Sequence, residues 1–403
     1  HALSTSGVGT QSRFLINGLV DTGKYTIRQF GAAQKHQDYN VHKVNPDFII
    51  KPVDGFGSPD MLRQTLAVEK PDILFIFTDP RFFIWLWEME DEIRCKMPLV
   101  YYHVWDNTPY PTFNKGYYNS CDFIATISKV TDDIVRNVSP DVDTCYLPHA
   151  VSNELFKPYD KQVISKARKD AGIPEDRTMF FWNNRNARRK QSGSLIYWFK
   201  EFLDKVGHDK AVLLMHTDPQ DQAGQNLHAI VSSLGLVNGE VKFSTNKVPP
   251  HQMALMYNMA DCTVNIADAE GFGLSSLESL SCGTPVINTM TGGLQEQVTD
   301  GENWFGIGIE PASKAIIGSQ DIPWIYEDRV SGDDVVNAFN TIYEMSGEEL
   351  DKMGEMGREH VMKNYNYEKF RERWVDLMTE LHEKHGSWEN RKLYNRWELK
   401  EIG

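Results

Sequence analysis

The segment Cys262-Thr-Val-Asn-Ile-Ala-Asp-Ala-Glu270-Gly-Phe-Gly-Leu-Ser-Ser-Leu-Glu278 decides the fold of this chain. Its first residues, 262–266, form a short apolar run that predicts a buried strand. Gly271 and Gly273 follow at a turn, where the absence of a side chain lets the backbone approach a ligand closely. The helix predicted from Leu274 would point its unpaired N–H groups and positive dipole end into that space. The segment therefore predicts a strand–turn–helix unit with an anion site, for which a diphosphate is the natural guest.

The two carboxylates of this segment differ in position. Glu270 lies in the loop, at the predicted ligand, and Glu278 lies about one turn inside the helix. Two carboxylates eight positions apart suit one sugar hydroxyl and one ribose pair. The alternative is an ordinary tight turn followed by a solvated glutamate, and the loop alone would favour that alternative.

Short apolar runs of the same kind recur along the chain and alternate with amphipathic helical stretches. Runs that are apolar throughout are typical of parallel strands with helices on both faces, so the alternation predicts a doubly wound α/β fold. The predicted strands are 25–32, 48–53, 72–77, 99–105, 123–127, 144–147, 179–182, 211–216, 241–244, 262–266, 285–288 and 304–309.

The alternation restarts near residue 178, after a polar connection at 148–158 that contains two prolines. This predicts two Rossmann-like, doubly wound domains that face a central cleft. The predicted boundaries are 1–155 for the first domain, 156–364 for the second and 365–403 for a helical tail that packs back on the first. The segment 311–334 is predicted to be an irregular insertion.

A basic cluster follows the predicted strand 179–182. Four cations, Arg185, Arg188, Arg189 and Lys190, lie within six positions. Ligands bind at the carboxyl ends of parallel strands, and arginine and lysine are suited to phosphate. A solvated basic helix start is the ordinary alternative for such a run. On this cluster alone the two interpretations are evenly balanced.

Two weaker features lie in the first domain. The stretch from Ser4 to Arg13 contains Gly7 and Gly9 before a helical pattern, which suggests a glycine turn or only a tight turn. His103 and Asp106 lie at the end of the predicted strand 99–105, among aromatic residues. A position at a strand end favours a role at the cleft, whereas a histidine on its own is more often a core residue.

Composition restricts the function classes. The chain has 403 residues and a formal net charge of −14, which disfavours general binding to nucleic acid or anionic membranes. Its five cysteines include no CxxC pair, which suggests reduced thiols in a cytoplasmic, soluble protein. The apolar runs are too short to span a membrane. An Asp-x-Asp pair for a metal is absent from the predicted phosphate region, so no metal site is expected.

Together these segments resemble the GT-B glycosyltransferases, specifically the retaining enzymes of glycosyltransferase family 4 (glycosyl transferases group 1). Glu270 to Glu278 is similar to the family's E-x7-E motif, and the following Ser281-Cys-Gly-Thr-Pro-Val-Ile is similar to its next strand entry. The segment from Thr291 to Asn303 is similar to the family's Gly-Gly-x-x-Glu segment. Gln191 replaces a glycine of the family, and the insertion 311–334 has no recognised counterpart.

The resemblance implies a role for each matched position. Arg185 and Lys190 would hold the donor diphosphate, completed by backbone N–H groups near Phe272, Gly273 and Leu274. The other implied positions are Glu278 at the donor ribose, Glu270 at the hydroxyls of the transferred sugar, Gly9 at the phosphate or acceptor, His103 beside the sugar, Asp106 on the acceptor side, and Asn246 to Val248 at the base.

The implied activity is transfer of a hexose-type sugar from a UDP or GDP sugar to an acceptor hydroxyl, with retention and without a metal or other cofactor. The resemblance assigns the acceptor to the first domain and the donor to the second. The acceptor is a glycan, a lipid or another hydroxyl compound, and the net charge disfavours a nucleic acid. The alternatives are an inactive nucleotide-sugar-binding scaffold and an epimerase or hydrolase on the same fold.

Overall fold

The computed structural model describes residues 1–395 and 397. Its internal contacts divide the chain into two compact units. The first unit comprises His1–Trp105, Tyr110–His149 and the described residues from Tyr367 onward, and the second comprises Asp106–Pro109 and Ala150–Asn366. The last part of the predicted tail, residues 396 and 398–403, lies outside the described residues.

The strands agree with the predicted α/β alternation, and two of them, β9 and β10, have the predicted bounds. The strands are β1 (Ile27–Gly31), β2 (His42–Asn45), β3 (Phe48–Pro52), β4 (Leu74–Phe77), β5 (Leu99–His103), β6 (Phe123–Thr126), β7 (Thr144–Tyr146), β8 (Thr178–Asn183), β9 (Ala211–His216), β10 (Val241–Ser244), β11 (Cys262–Asn265), β12 (Val286–Thr289), β13 (Gly306–Ile309), β14 (Ser313–Ile317) and β15 (Ile325–Arg329).

Helices connect these strands, and none within the described residues has both the length and the apolar character needed to cross a membrane. The helices are α1 (Gly7–Val20), α2 (Pro59–Glu69), α3 (Ile84–Trp87), α4 (Glu90–Arg94), α5 (Lys115–Asn119), α6 (Lys129–Val138), α7 (Lys161–Asp170), α8 (Ser192–Val206), α9 (Leu227–Ser233), α10 (Pro250–Met259), α11 (Leu274–Ser281), α12 (Gln295–Val298), α13 (Gly332–Glu344), α14 (Gly347–Asn364) and α15 (Tyr367–His385).

The first unit is built on a parallel sheet of order β4-β5-β6-β7 and a three-stranded sheet of order β1-β3-β2. Every residue of β5 and β6 is buried, as expected for strands covered on both faces. Helix α15, from the end of the chain, packs against α1 of this unit, and the Tyr25 hydroxyl lies 2.6 Å from Thr379 Oγ1. The first unit therefore includes residues from both ends of the described chain.

The second unit is built on one parallel six-stranded sheet of order β10-β9-β8-β11-β12-β13. Four phenylalanines that are fully buried form a cluster in its core, with ring centroids 4.7 to 6.1 Å apart: Phe180, Phe199, Phe202 and Phe339. Strands β8 and β11 are hydrogen-bonded neighbours in the middle of this sheet. Their carboxyl ends consequently bring the loops after residue 183 and after residue 265 to the same edge.

The prediction that residues 311–334 lack regular structure is wrong. Residues 313–329 form an antiparallel hairpin in which Ser313 pairs with Arg329 and Ile317 with Ile325, and helix α13 then begins at Gly332. The two short strands were not predicted, because glycine, proline and aspartate interrupt this segment and are depleted in most strands.

Candidate active site

An ion pair between Lys190 and Glu270 joins the two loops at the carboxyl edge of the six-stranded sheet. The Lys190 side chain is 8% exposed and that of Glu270 is 15% exposed. Burial lowers the pKa of Lys190 and outweighs the opposing effect of Glu270. Burial also opposes ionisation of Glu270, but the charges of Lys190 and Arg189 prevail, so the pKa of this carboxyl lies below its ordinary value. Two residues predicted for the site are thus in direct contact.

Arg189 belongs to the same cluster, although sequence reasoning gave it no individual role. Its guanidinium donates a hydrogen bond to the carbonyl of Ala269, next to Glu270. Its backbone carbonyl accepts a hydrogen bond of 2.8 Å from the amide of Asp268. The only sequence signal for Arg189 is its membership of the basic run, which does not distinguish it from its neighbours.

Asp106 lies in the electrostatic environment of this cluster, and its contacts assign it to the second unit. Burial raises the pKa of Asp106 to about 6, Arg189 and Lys190 oppose that rise, and Glu270 adds to it. Asp106 was selected from sequence only because it follows a strand of the first domain. In the structure, the charges of Lys190 and Glu270 influence the pKa of its carboxyl.

Helix α11 begins four residues after Glu270, and its first turn belongs to the candidate site. Gly273 caps the helix with a φ of +92°, a conformation that L-residues rarely adopt, and a Cβ there would collide with Leu294. Phe272 is buried, and its carbonyl accepts a hydrogen bond from Gln297. The amides of Ser276 and Leu277 donate to the Gly273 carbonyl, whereas those of Leu274 and Ser275 lie in the first turn, where N–H groups have no intrahelical acceptor. This end of α11 therefore supplies donors and a positive dipole end next to Glu270.

Glu278 lies inside α11 and contacts a tyrosine hydroxyl. Its Oε2 accepts a hydrogen bond of 2.8 Å from the Tyr257 hydroxyl, which in turn lies 2.8 Å from Asn183 Nδ2 at the end of β8. Burial raises the pKa of Glu278 to about 7, although the Tyr257 hydrogen bond opposes the rise. Sequence reasoning selected Glu278, but not Tyr257 or Asn183, which orient it.

Arg185 has a different environment from Lys190. Its side chain is 70% exposed and makes two hydrogen bonds to Asp221, at 2.6 and 3.0 Å. Gln191, where the resembling family has glycine, adopts a left-handed conformation with φ of +56°. Its side chain amide compensates by donating a hydrogen bond of 2.7 Å to Asp268. The glycine-like backbone is therefore retained without the glycine.

The resemblance implies a place for His103 beside the sugar, and this stays a prediction. His103 is completely buried in the first unit, and its ring nitrogens lie 2.9 Å from the Tyr101 hydroxyl and 2.6 Å from the Tyr118 hydroxyl. Burial lowers the pKa of His103 to about 3, so the ring is neutral. This is the environment of a core histidine, which the sequence left open as an alternative.

The remaining predicted positions lie in other elements of the chain. Gly9 is in the first turn of α1, where a Cβ would press on the carbonyl of Ser4. Asn246 is exposed and Val248 half-buried in the segment between β10 and α10. In the part of the chain that the structure describes, no group of three or more His, Cys, Asp and Glu side chains is arranged to hold a metal ion.

Comparison with known proteins identifies this arrangement. Residues 163–359 match the family Glycosyl transferases group 1. The match covers just under half of the chain and lies within the second unit. Sucrose-phosphate synthase from Thermosynechococcus elongatus aligns with a TM-score of 0.76 at 18% identity, over 94% of each chain. That likeness shows the GT-B fold for this chain, as the sequence resemblance predicted.

Two further relatives are informative. A trehalose-6-phosphate protein from E. coli bound with UDP-2-fluoro glucose aligns with a TM-score of 0.68 at 10% identity, over 94% of this chain and 96% of that chain. A D-inositol 3-phosphate glycosyltransferase from Acidothermus cellulolyticus is 28% identical over 189 residues, 45% of this chain and 39% of the relative. The match thus spans about two fifths of the length of that curated relative.

Proposed function

We propose that this glycosyltransferase moves a sugar from a nucleoside-diphosphate sugar to an acceptor hydroxyl, with retention of configuration and without a metal. The observation that carries the proposal is the Lys190–Glu270 ion pair beside the N-terminus of α11, with Asp106 in its field. The cation and the N–H donors of the helix end suit a diphosphate leaving group, and the carboxylate suits the hydroxyls of a sugar.

The phosphate side of the reaction rests on charge. When the glycosidic bond breaks, negative charge builds up on the leaving diphosphate. Lys190, Arg185 and the N–H groups at Gly273 and Leu274 would stabilise that charge where it develops, and we add Arg189 to this set. Arg185 would exchange its exposed partner Asp221 for phosphate.

The sugar side rests on the two glutamates. Glu270 would accept hydrogen bonds from hydroxyls of the transferred sugar, and the positive charge of Lys190 keeps it ionised for that role. Glu278, oriented by Tyr257, would bind the donor ribose. Asn246 to Val248 would contact the base. In a retaining transfer of this kind the leaving phosphate would take the proton of the acceptor hydroxyl.

Asp106 would orient the acceptor hydroxyl by accepting a hydrogen bond from it, since a pKa of about 6 leaves this carboxyl mostly ionised at neutral pH. Gly9 keeps its predicted role as the point where backbone approaches phosphate or acceptor. His103 is left out of the proposed contacts, because both of its ring nitrogens already face tyrosine hydroxyls.

The first experiment identifies the donor. Thermal unfolding is recorded with UDP, GDP, ADP and CDP, each with and without EDTA. UDP is the first candidate, because the E. coli relative is bound with a UDP sugar. A ligand at about 100 times its Kd stabilises by about 2.7 kcal/mol, which is easily measured. Stabilisation that survives EDTA is expected. Stabilisation by none of the four would contradict the proposal.

The second experiment tests Glu270 with the donor identified in the first. Glu270→Gln is expected to lower turnover about 10²-fold or more, since the interaction lost acts on the reacting sugar, while the Kd of the free diphosphate changes much less. Product release without any acceptor would instead indicate the hydrolase or epimerase. Binding without turnover by wild type would indicate the inactive scaffold.

A further inference from the structure

The hairpin β14–β15 contacts all three segments that form the candidate site. One edge of β15 pairs with β14. Its other edge and its side chains contact the loop after β8, the loop after β11 and residues Asp106–Pro109. These contacts come from four consecutive residues, Tyr326 to Arg329, within the second unit.

Tyr326 connects the hairpin to the segment of Asp106. Its amide donates a hydrogen bond of 2.7 Å to the carbonyl of Thr108, and its carbonyl accepts one of 2.9 Å from Asn107 Nδ2. Both bonds reach residues within two positions of Asp106. The backbone of β15 thus fixes the segment that carries this carboxyl.

Glu327 connects the hairpin to the basic loop. This carboxylate is 3% exposed and accepts hydrogen bonds of 2.7 and 2.6 Å from the two terminal nitrogens of Arg188. Arg329 donates a further bond of 3.1 Å to it. A two-pronged arginine–carboxylate pair restricts orientation as well as distance. Arg188 lies two positions before Lys190 in the same short 3-10 helix, so this pair limits the positions open to Lys190.

Asp328 and Arg329 connect the hairpin to the loop of Glu270. The Asp328 amide donates a hydrogen bond of 2.9 Å to the carbonyl of Asp268, and Arg329 forms an ion pair with the Asp268 carboxylate. Asp268 is 2% exposed and lies two positions before Glu270. Its carboxylate also accepts the hydrogen bond from Gln191, which follows Lys190.

From these contacts we infer that strand β15 is a positioning element that holds Asp106, Lys190 and Glu270 in one arrangement, with Glu327 and Arg329 as its positioning residues. The inference rests on the proposed function for its catalytic consequence. The physical reason is that the three segments come from distant parts of the chain and the sheet aligns only two of them. Side chains that hold a reacting geometry affect rate strongly, since a misplacement of 1 Å can cost about 10²-fold.

The test uses the full chain with Glu327→Gln and Arg329→Gln. Glu327→Gln keeps the shape of the side chain but removes the charge that holds Arg188. With UDP-glucose as the donor probe, kcat is expected to fall about 10- to 100-fold while KM for the donor changes less than about threefold. The Kd for UDP is expected to stay close to that of wild type. A purely structural role would lower the melting temperature without this split between kcat and KM.

Glu240→Gln is the matched control. Glu240 is also a buried carboxylate of the second unit, 1% exposed, but its hydrogen bonds go to Asn238 and His208. It is expected to leave kcat and KM for UDP-glucose unchanged. A fall in kcat as large as that of Glu327→Gln would show a general effect of losing a buried charge and would overturn the inference.

Amide hydrogen exchange of the ligand-free protein makes the inference independent of the proposed function. Exchange in residues 106–109, 187–191 and 268–270 is expected to accelerate in Glu327→Gln and Arg329→Gln and not in Glu240→Gln. Unchanged exchange in all three segments of both folded variants would overturn the inference, even if wild type transfers sugar. If wild type does not use UDP-glucose, the donor assignment fails and the exchange result alone decides the role of β15.

Discussion

Lys190 and Glu270 form an ion pair in a setting that is largely shielded from water. Removing one member of such a pair leaves an uncompensated charge and a gap in the binding surface, so its effect is larger than that of a solvent-exposed pair. The neighbouring Asp106 and Glu278 have pKa values raised to about 6 and about 7. Groups that titrate near neutral pH concentrate at functional sites, which agrees with the position of this cluster.

Lys190→Ala is expected to weaken UDP binding about 10- to 100-fold, because hydrogen bonds to charged groups contribute about 1.5–3 kcal/mol. Uridine, which lacks the diphosphate, is expected to bind within about threefold of wild type. Isothermal titration calorimetry measures both. Lys200→Ala is the control, since Lys200 pairs with Asp204 on α8. Equal losses for UDP and uridine would remove Lys190 from the phosphate contacts.

The raised pKa of Glu278 predicts how the stability of the protein depends on pH. Its pKa is about 7 in the folded chain, against 4.5 for an ordinary glutamate, so between these values the folded chain keeps a proton that the unfolded chain has lost. Stability therefore falls as pH rises through this window. Glu278→Gln mimics the protonated form and is expected to be more stable than wild type at pH 8 by about 1–3 kcal/mol, with little difference at pH 4.5.

Urea unfolding of wild type and Glu278→Gln across this pH range measures the effect. The raised pKa of Asp106 has the same sign but acts at lower pH, up to about 6, and remains in the variant. A stability difference that is constant with pH would show that folding does not raise the pKa of Glu278.

At the scale of elements, the site depends on how strands and helices begin and end. Strands β8 and β11 are neighbours, so the loops that follow them converge although they are about 80 residues apart in sequence. Helix α11 can start beside Glu270 only because Gly273 adopts a positive φ there and leaves room for Leu294. The residue at which α11 begins therefore also determines where its N–H donors lie in the site.

Gly273→Ala is expected to destabilise the protein by about 2–4 kcal/mol and to weaken UDP binding, because it adds both backbone strain and a clash with Leu294. Gly301→Ala is the matched control: its φ is +99°, but a Cβ there would meet nothing within 4 Å. This control is expected to cost about 1–2 kcal/mol, from strain alone. Chemical denaturation compares the two, and equal costs would show that Leu294 moves aside freely.

At the scale of the whole molecule, the first unit is assembled from separate stretches of chain. Helix α15 supplies Trp374, which is fully buried and packs edge-on against Phe75 and Tyr102, with ring centroids 5.5 and 4.9 Å away. The strands β4 and β5 that carry those partners lie about 270 to 300 residues earlier in the chain. The core of this unit is therefore incomplete until the chain has been made as far as α15.

Trp374→Ala is expected to destabilise the first unit by about 3–5 kcal/mol, as for other large-to-small changes at buried aromatic positions. Hydrogen exchange resolved by segment is expected to show lost protection in β4 and β5, with the six-stranded sheet of the second unit protected as before. Trp397→Ala is the control, since Trp397 is 77% exposed and its removal should stay within about 0.5 kcal/mol. Equal loss of protection in both units would contradict the prediction.

Much of the fold was predictable because periodicity is local. Strands β9 and β10 have the predicted bounds, since a short apolar run can be detected from residues that are neighbours in sequence. Strand β2 was missed because all four of its residues are exposed, which leaves no apolar alternation to detect. The hairpin β14–β15 was missed because glycine, proline and aspartate, which are depleted in most strands, interrupt its sequence.

The sequence by itself determined the α/β class, the strand–turn–helix unit at Glu270 and the residue types that a nucleotide-sugar site requires, because these depend on neighbours within a few positions. Only the tertiary structure decided that Arg189 lies beside the Lys190–Glu270 pair, that His103 is buried between two tyrosines, and that β15 joins the three segments of the site. Such contacts join residues up to 219 positions apart. They follow from which strands become neighbours and what burial does to each charge, and neither is a local property of the chain.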